Sequence, residues 1–217
     1  SMKNKMRVAL FSPSIKTDSG IALYNQRLIN YMNKNIEFHL INNDSKGKLY
    51  KSEFFFKKNY KSYDKIVYHL GNSKHHFYML KYIDKYPGIL VLHEENLDML
   101  ISYANKKNIK LSQFSKNNVD FSLENFLYSS IHVVVHSNFL KKKIEEKYNL
   151  KRNKISKINH FNSKKINFTI KGKFFCSFGH MHKAKDGITI LKSWLKSGLF
   201  QNYKLIFIGK IWRDDST

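Results

Sequence analysis

Residues 65–97 read KIVYHLGNSKHHFYMLKYIDKYPGILVLHEENL, and this stretch decides the fold. The run from Lys65 to Leu70 stops at Gly71, and the run from Gly88 to Leu92 follows Pro87 without a polar break. Each has the length of a strand, and a continuous apolar strand is one covered on both faces. Between them, about Lys74 to Tyr86 carries helical spacing. Strand, helix, strand is the repeating unit of a parallel sheet. The second strand ends abruptly in His93, Glu94, Glu95 and Asn96. Chemistry in an open parallel sheet gathers at the carboxyl ends of its strands. His93 and Glu94 are therefore the first candidate site residues.

The same alternation extends in both directions. Met6–Ser12 reads as a first strand, and Ile21, Tyr24, Leu28, Tyr31 and Met32 then recur at helical spacing behind a capping Ser19-Gly20. Ile36–Ile41 is a second strand, followed by a lysine-rich stretch dotted with aromatics for which no element is assigned. Ile131–Val135 is another apolar run. It leads into a helix capped by Ser137, with Leu140, Ile144 and Tyr148 on one face and Lys141, Lys142, Lys143 and Lys147 largely elsewhere. Lys154–Ile158 closes this α/β domain, expected over residues 1–162. A polar, basic linker is expected over 163–173. Phe174–Phe178, Asp186–Lys196 and Tyr203–Ile208 then form one further strand-helix-strand unit, with Ile188, Leu191, Trp194 and Leu195 inward. Only eight residues follow Gly209. Residues 174–217 are thus expected to be the truncated start of a second domain.

Composition limits the function classes. The 217 residues are 42% hydrophobic, enough for a proper core. No apolar run approaches the roughly 20 residues of a spanning helix. With no signal-peptide pattern at the N-terminus, a cytoplasmic location is expected. Cys176, the only cysteine, excludes an internal disulfide and reads as a small buried hydrophobe within Phe174-Phe175-Cys176. The charge of +23 gathers anionic partners without choosing among them: nucleic acid, an anionic membrane or phosphorylated substrates. From Ser137 to Lys173 there are twelve basic residues and two acidic ones. A solvated surface in a Lys-, Asn- and Ile-rich chain explains the same excess.

The strand ends supply the remaining candidates. After the first strand, SPSIKTDSGIALYN places Gly20 where backbone can approach a ligand closely and a helix N-terminus can face phosphate. The pattern is not GxGxxG, and no Walker A loop occurs, which argues against dinucleotide and P-loop chemistry. After the third strand, LGNSKHHFYML puts Asn72 and Ser73 at the sheet edge, where they can also be plain helix caps. His75 and His76 diverge on a helix and lack a carboxylate or cysteine cluster, so no metal site is expected there or at His180 and His182.

Taken together, SGIALYN, VYHLGNSKHHFYMLKYIDKYPGILVLHEENL, VVVHSNFLKKKIEEKY, FGHMHKAKDGITIL and LIFIG resemble the family-4 retaining glycosyltransferases of GT-B fold. Within that family they are most similar to bacterial enzymes that build surface polysaccharides, whose members often show SGIA-x-Y, GNS-x-x-H and PG-x-x-VLHD. The pieces occur in family order from about Met6 to Gly209. The resemblance implies a Rossmann-like N-terminal domain and a hexosyltransferase-like enzyme that moves a sugar from a nucleotide-sugar donor to a glycan or lipid-linked acceptor with retention. It implies no cofactor and no metal. It carries Ser19 and Gly20 over to the donor diphosphate, His93 to the transferred sugar with Glu94 beside it, and Asn72, Ser73 and His136 to the acceptor side. In the second domain it carries over Lys185 to the diphosphate, with His180 and Lys183 nearby.

Departures from the family pattern matter. His180 stands where the family often has Arg after the glycine, so Lys183 is the alternative source of that charge. VLHE replaces VLHD, which places the Glu94 carboxylate one methylene further out. The family's paired glutamates of the second domain are not reached. Two alternatives stay open: a polyanion- or nucleic-acid-binding module that uses its charge with Tyr and Phe stacking, and an inactive partner subunit. Under the glycosyltransferase reading no nucleic acid partner is expected, and the basic helix after Ser137 is expected to hold the protein peripherally on an anionic inner membrane face.

Overall fold

The computed structural model describes residues 5–17, 19–43, 47–107, 123–160, 172–179 and 186–209. The chain divides into two compact units, residues 1–162 and 163–217. In the first unit the elements run β1 (Met6–Phe11), α1 (Gly20–Met32), β2 (Ile36–Ile41), β3 (Tyr50–Lys51), α2 (Glu53–Asn59) and β4 (Lys65–Leu70). A 3-10 segment (Lys74–Met79), α3 (Leu80–Ile83), β5 (Ile89–Leu92), α4 (Asp98–Lys106), α5 (Leu123–Ser129), β6 (His132–Val135), α6 (Asn138–Tyr148) and β7 (Ile155–Lys157) follow.

The seven strands form one sheet in the order β3-β2-β1-β4-β5-β6-β7, and every pairing is parallel. This is a Rossmann-like α/β fold. β1 lies between β2 and β4, so the chain reverses its direction of winding there, and the crevice above the carboxyl ends of β1 and β4 is the topological switch point.

The central strands are covered on both sides, as their unbroken apolar runs require. One face packs Val8 and Leu10 of β1 with Phe38 and Leu40 of β2 under Ile29 of α1. The other, larger face centres on Phe11, whose ring lies 4.9 Å from Phe56, 4.7 Å from Tyr68 and 5.3 Å from Tyr82. Fully burying such side chains contributes about 1.5–3 kcal/mol each. The Tyr68 hydroxyl stays satisfied, 2.8 Å from the Tyr86 carbonyl and 3.2 Å from that of Tyr82.

Several elements differ from the sequence reading. The helix expected over 74–86 is a 3-10 segment followed by the single turn of α3. The Ser73 carbonyl takes the His76 N–H at 3.1 Å, closing a three-residue ring, while the Ser73 hydroxyl turns to His76 Nδ1 at 3.0 Å instead of capping. β3 and α2 occupy the unassigned lysine-rich stretch, where Ser52 caps α2 by accepting from Phe55 N–H at 3.1 Å. α4 and α5 also went unread. On α1 the inward residues are Ala22, Asn25 and Ile29, so the buried face is rotated by about one position and Tyr31 is 82% exposed.

The second unit pairs β8 (Phe174–Phe178) and β9 (Lys204–Ile208) in parallel, joined through α7 (Gly187–Lys196). Asp186 caps α7 by accepting from Thr189 N–H at 3.2 Å. The expected inward face of α7 is met only by Trp194, whose ring lies 5.4 Å from Phe175; Ile188, Leu191 and Leu195 are exposed. Cys176, expected buried, is half-buried. Among the described residues of this unit, two strands and α7 offer a single contact layer, which cannot cover both faces of a sheet.

Candidate functional site

A cleft of about 550 Å³ opens at the switch point of the first unit. Ser19, Gly20, Ile21, Leu23, Tyr24 and Arg27 of α1 form one wall, and Asn72, Ser73, His76, His93, Glu94 and His160 form the rest. Gly20, Leu23, Tyr24 and Arg27 stand at i, i+3, i+4 and i+7, so a single helical face supplies that wall. A Cβ built at Gly20 meets nothing within 4 Å. No neighbour demands a glycine there, and what a side chain would fill is open cleft beside the free N–H groups of the first turn. Ser19 has no side-chain capping bond. Arg27 makes no ion pair or hydrogen bond among the described residues, which leaves its guanidinium available to an anion.

The opposite wall is tightly tied. The Asn72 N–H donates to Glu94 Oε1 at 2.7 Å, clamping the loop after β4 to the loop after β5. Asn72 Oδ1 accepts from Met99 N–H at 2.8 Å and Leu100 N–H at 3.1 Å, so this side chain caps α4 from 27 residues upstream. The Lys143–Glu95 ion pair, 2.5 Å, ties α6 to the same loop. Gly71 is closely approached: a Cβ there would stand 2.5 Å from the terminal Ile21 Cδ1 and 3.2 Å from His76 Cε1, so both side chains would have to shift.

The floor of the cleft is a cluster of imidazoles around Tyr24. The Tyr24 ring centre lies 5.6 Å from His69, 5.7 Å from His93, 5.1 Å from His136 and 5.5 Å from His160. His136 and His160 stack at 4.1 Å, and His93 is 4.8 Å from His136. Buried His69 meets His93 by a hydrogen bond, Nδ1 to Nε2, of 3.0 Å. One proton lies between those rings, so the tautomer of one sets that of the other and His93 Nδ1 is the nitrogen left for the cleft. His136 donates from Nδ1 to the Ile158 carbonyl at 2.8 Å.

Burial strips four of the histidines around the cleft of charge. It lowers His93 to about 3, helped by His136, His76 and His160, and lowers His76 to about 4. His69 is driven well below the ordinary imidazole value by burial and then by His93, and burial also lowers His136. Tyr24 is pushed up by burial. At neutral pH His69, His76, His93 and His136 therefore present neutral hydrogen-bonding rings beside the side chains of Arg27 and Glu94.

Six of the sequence candidates line this one cleft: Ser19, Gly20, Asn72, Ser73, His93 and Glu94. His136 stands behind His93 without lining it. His180, Lys183 and Lys185 lie outside the described residues. Tyr24, Arg27, His69, His76 and His160 were not anticipated. The i, i+3, i+4, i+7 face from Gly20 was the available signal for Tyr24 and Arg27. His75 and His76 face different cavities, and no metal-holding group of histidines, cysteines or carboxylates occurs among the described residues. No helix among them is long and apolar enough to cross a membrane. No known protein-family model matches the chain, and no curated protein matches it.

Proposed function

We propose that the chain forms the acceptor-side part of a retaining glycosyltransferase that uses a nucleotide-sugar donor. The observation that carries this reading is the convergence of Gly20, Arg27, His93 and Glu94 on one switch-point cleft. In the proposed reaction the bond from the anomeric carbon to the leaving phosphate oxygen breaks, and the acceptor oxygen bonds to that carbon on the same face. The acceptor hydroxyl proton passes to the departing phosphate oxygen. Negative charge grows on the leaving group, so groups that bind it more strongly as the bond breaks accelerate the step. The open first turn of α1 and the unpaired Arg27 support a role for this wall in binding that charge. His93, neutral and fixed by His69, orients a hydroxyl of the transferred sugar; it is not a nucleophile. Asn72 and Glu94 hold the cleft's shape through their mutual bond.

The test is transfer or hydrolysis across a panel of nucleotide sugars with the natural full-length chain. His93→Ala should lower turnover about 100-fold, equivalent to about 2.7 kcal/mol of barrier, in a chain that still folds at pH 7 by circular dichroism although the orphaned His69 lowers its melting temperature. An unchanged rate sinks the assignment.

Peripheral attachment to an anionic membrane belongs to the same proposal, but α6 is a weaker candidate than its sequence implies. Lys141 pairs with Glu145 at 2.8 Å, Lys142 with Glu146 at 3.7 Å and Lys143 with Glu95 at 2.5 Å. After it, Lys151, Arg152 and Lys157 have no side-chain partner among the described residues. Vesicle binding that does not weaken with salt would remove the electrostatic reading.

A further inference from the structure

A second cleft of about 510 Å³ lies on the far side of the Lys74–Met79 wall, above the carboxyl ends of β1 and β2. We infer that it binds a pyranose carrying a carboxylate or a phosphate. Its volume is within the roughly 300–1,000 Å³ of small-molecule pockets.

The frame of this cleft is fixed by bonds that leave its cations unspent. On the floor the Tyr78 hydroxyl lies 2.7 Å from the Ile41 carbonyl and 3.0 Å from that of Ser12, and it accepts from Ser12 N–H at 3.1 Å. That one oxygen stitches the ends of β1 and β2 together. On the rim Asn43 Nδ2 donates to Glu53 Oε1 at 2.7 Å, and Asn43 Oδ1 accepts the Glu53 N–H at 3.0 Å. Glu53 Oε2 takes Lys81 Nζ at 2.6 Å and the Tyr82 hydroxyl. Glu53 is the only carboxylate among the described lining residues, and Lys81 already balances it. Lys74 and Lys107, also on the lining, have no side-chain partner among the described residues. The cleft therefore holds uncompensated positive charge on a rigid frame, which selects an anion.

The remaining surface indicates what carries that anion. Tyr103 and Phe77 meet edge to face at 5.6 Å and give an aromatic wall for the apolar face of a sugar ring. Thr17 Oγ1, which donates to the Ser14 carbonyl at 2.6 Å, can still accept, and Asn43, tied to Glu53 through one amide hydrogen, keeps its second Nδ2 hydrogen for a sugar hydroxyl. Service as an extension of the acceptor site rests on the glycosyl-transfer reading. Binding itself does not.

Calorimetric titration of the full chain with glucuronate, glucose 6-phosphate, glucose and uridine monophosphate tests the inference without any turnover. At least one acidic sugar should bind 10-fold or more tightly than glucose, and the better of the two identifies carboxylate or phosphate as the preferred group. Lys74→Gln/Lys107→Gln should reduce that binding at least 10-fold, while His93→Ala, in the other cleft, and the exposed pair Lys58→Gln/Lys61→Gln should leave it within twofold. The inference is overturned by equal binding of glucose, by tighter binding of the nucleotide, by an equal loss in the Lys58/Lys61 variant, or by loss in His93→Ala instead.

Discussion

His75 and His76 are neighbours in the chain and face different clefts, and the two clefts treat charge in opposite ways. The first is floored by imidazoles that burial keeps neutral. The second is edged by the exposed Lys74 and Lys107, which have no carboxylate partner among the described residues. Desolvation is the cause of the difference: a ring sealed behind α1 and the strand ends cannot afford a proton, whereas a lysine on the rim retains its water. A neutral floor can orient hydroxyls without trapping a charged product, while a cationic rim can hold an anion in place.

Acid should break this contrast most visibly. The folded values of about 3 for His93 and about 4 for His76 lie below the unfolded value of 6.5, so the unfolded chain binds more protons as pH falls. Stability is fully present above 6.5 and is lost as pH drops through the window down to the folded values. Each histidine costs about 1.4 kcal/mol per pH unit, so the two should remove about 4 kcal/mol between pH 7 and pH 5. Urea denaturation at both pH values checks this, and His76→Gln/His93→Gln should flatten the slope; an unchanged slope would show that other groups carry it.

Gly71→Ala probes the steric side of the first cleft. Its methyl meets Ile21 and His76, and overpacking of that kind costs about 1–3 kcal/mol. Adding Ile21→Val removes the nearest atom and should recover part of the loss, measurable as a double-mutant coupling in denaturation. The smallest effect belongs to the α4 cap. Asn72→Ala should cost about 1 kcal/mol through the lost α4 cap. Faster amide exchange at Met99 and Leu100 would locate the loss there, and unaltered exchange would count against the capping role.

The sheet was legible because its strands are covered on both faces. Apolar runs such as Ile89–Leu92 and Val133–Val135 have no alternative burial in a chain of this charge. Strand ends in turn exposed Gly20, Asn72, His93 and Glu94. α4 and α5 escaped because they flank a stretch without strong periodicity, and α4 draws most of its cap from distant Asn72, with neighbouring Asn96 Oδ1 taking only the Asp98 N–H. The imidazole cluster was illegible for a topological reason: His69, His93, His136 and His160 come from four strand ends brought together only by sheet order. The paired lysines of α6 teach the same lesson about charge. Lys141 and Lys142 find glutamates one turn away, and Lys143 finds Glu95 across the fold, so a basic run in sequence overstates the unpaired charge of the helix that carries it.

The Lys74–Met79 segment is a party wall, with His76 on one side and Lys74, His75, Phe77 and Tyr78 on the other. An occupant that shifts it in either cleft alters the room in the other. The two sites are then thermodynamically linked, and the factor by which the first ligand changes the affinity for the second equals the factor by which the second changes the first.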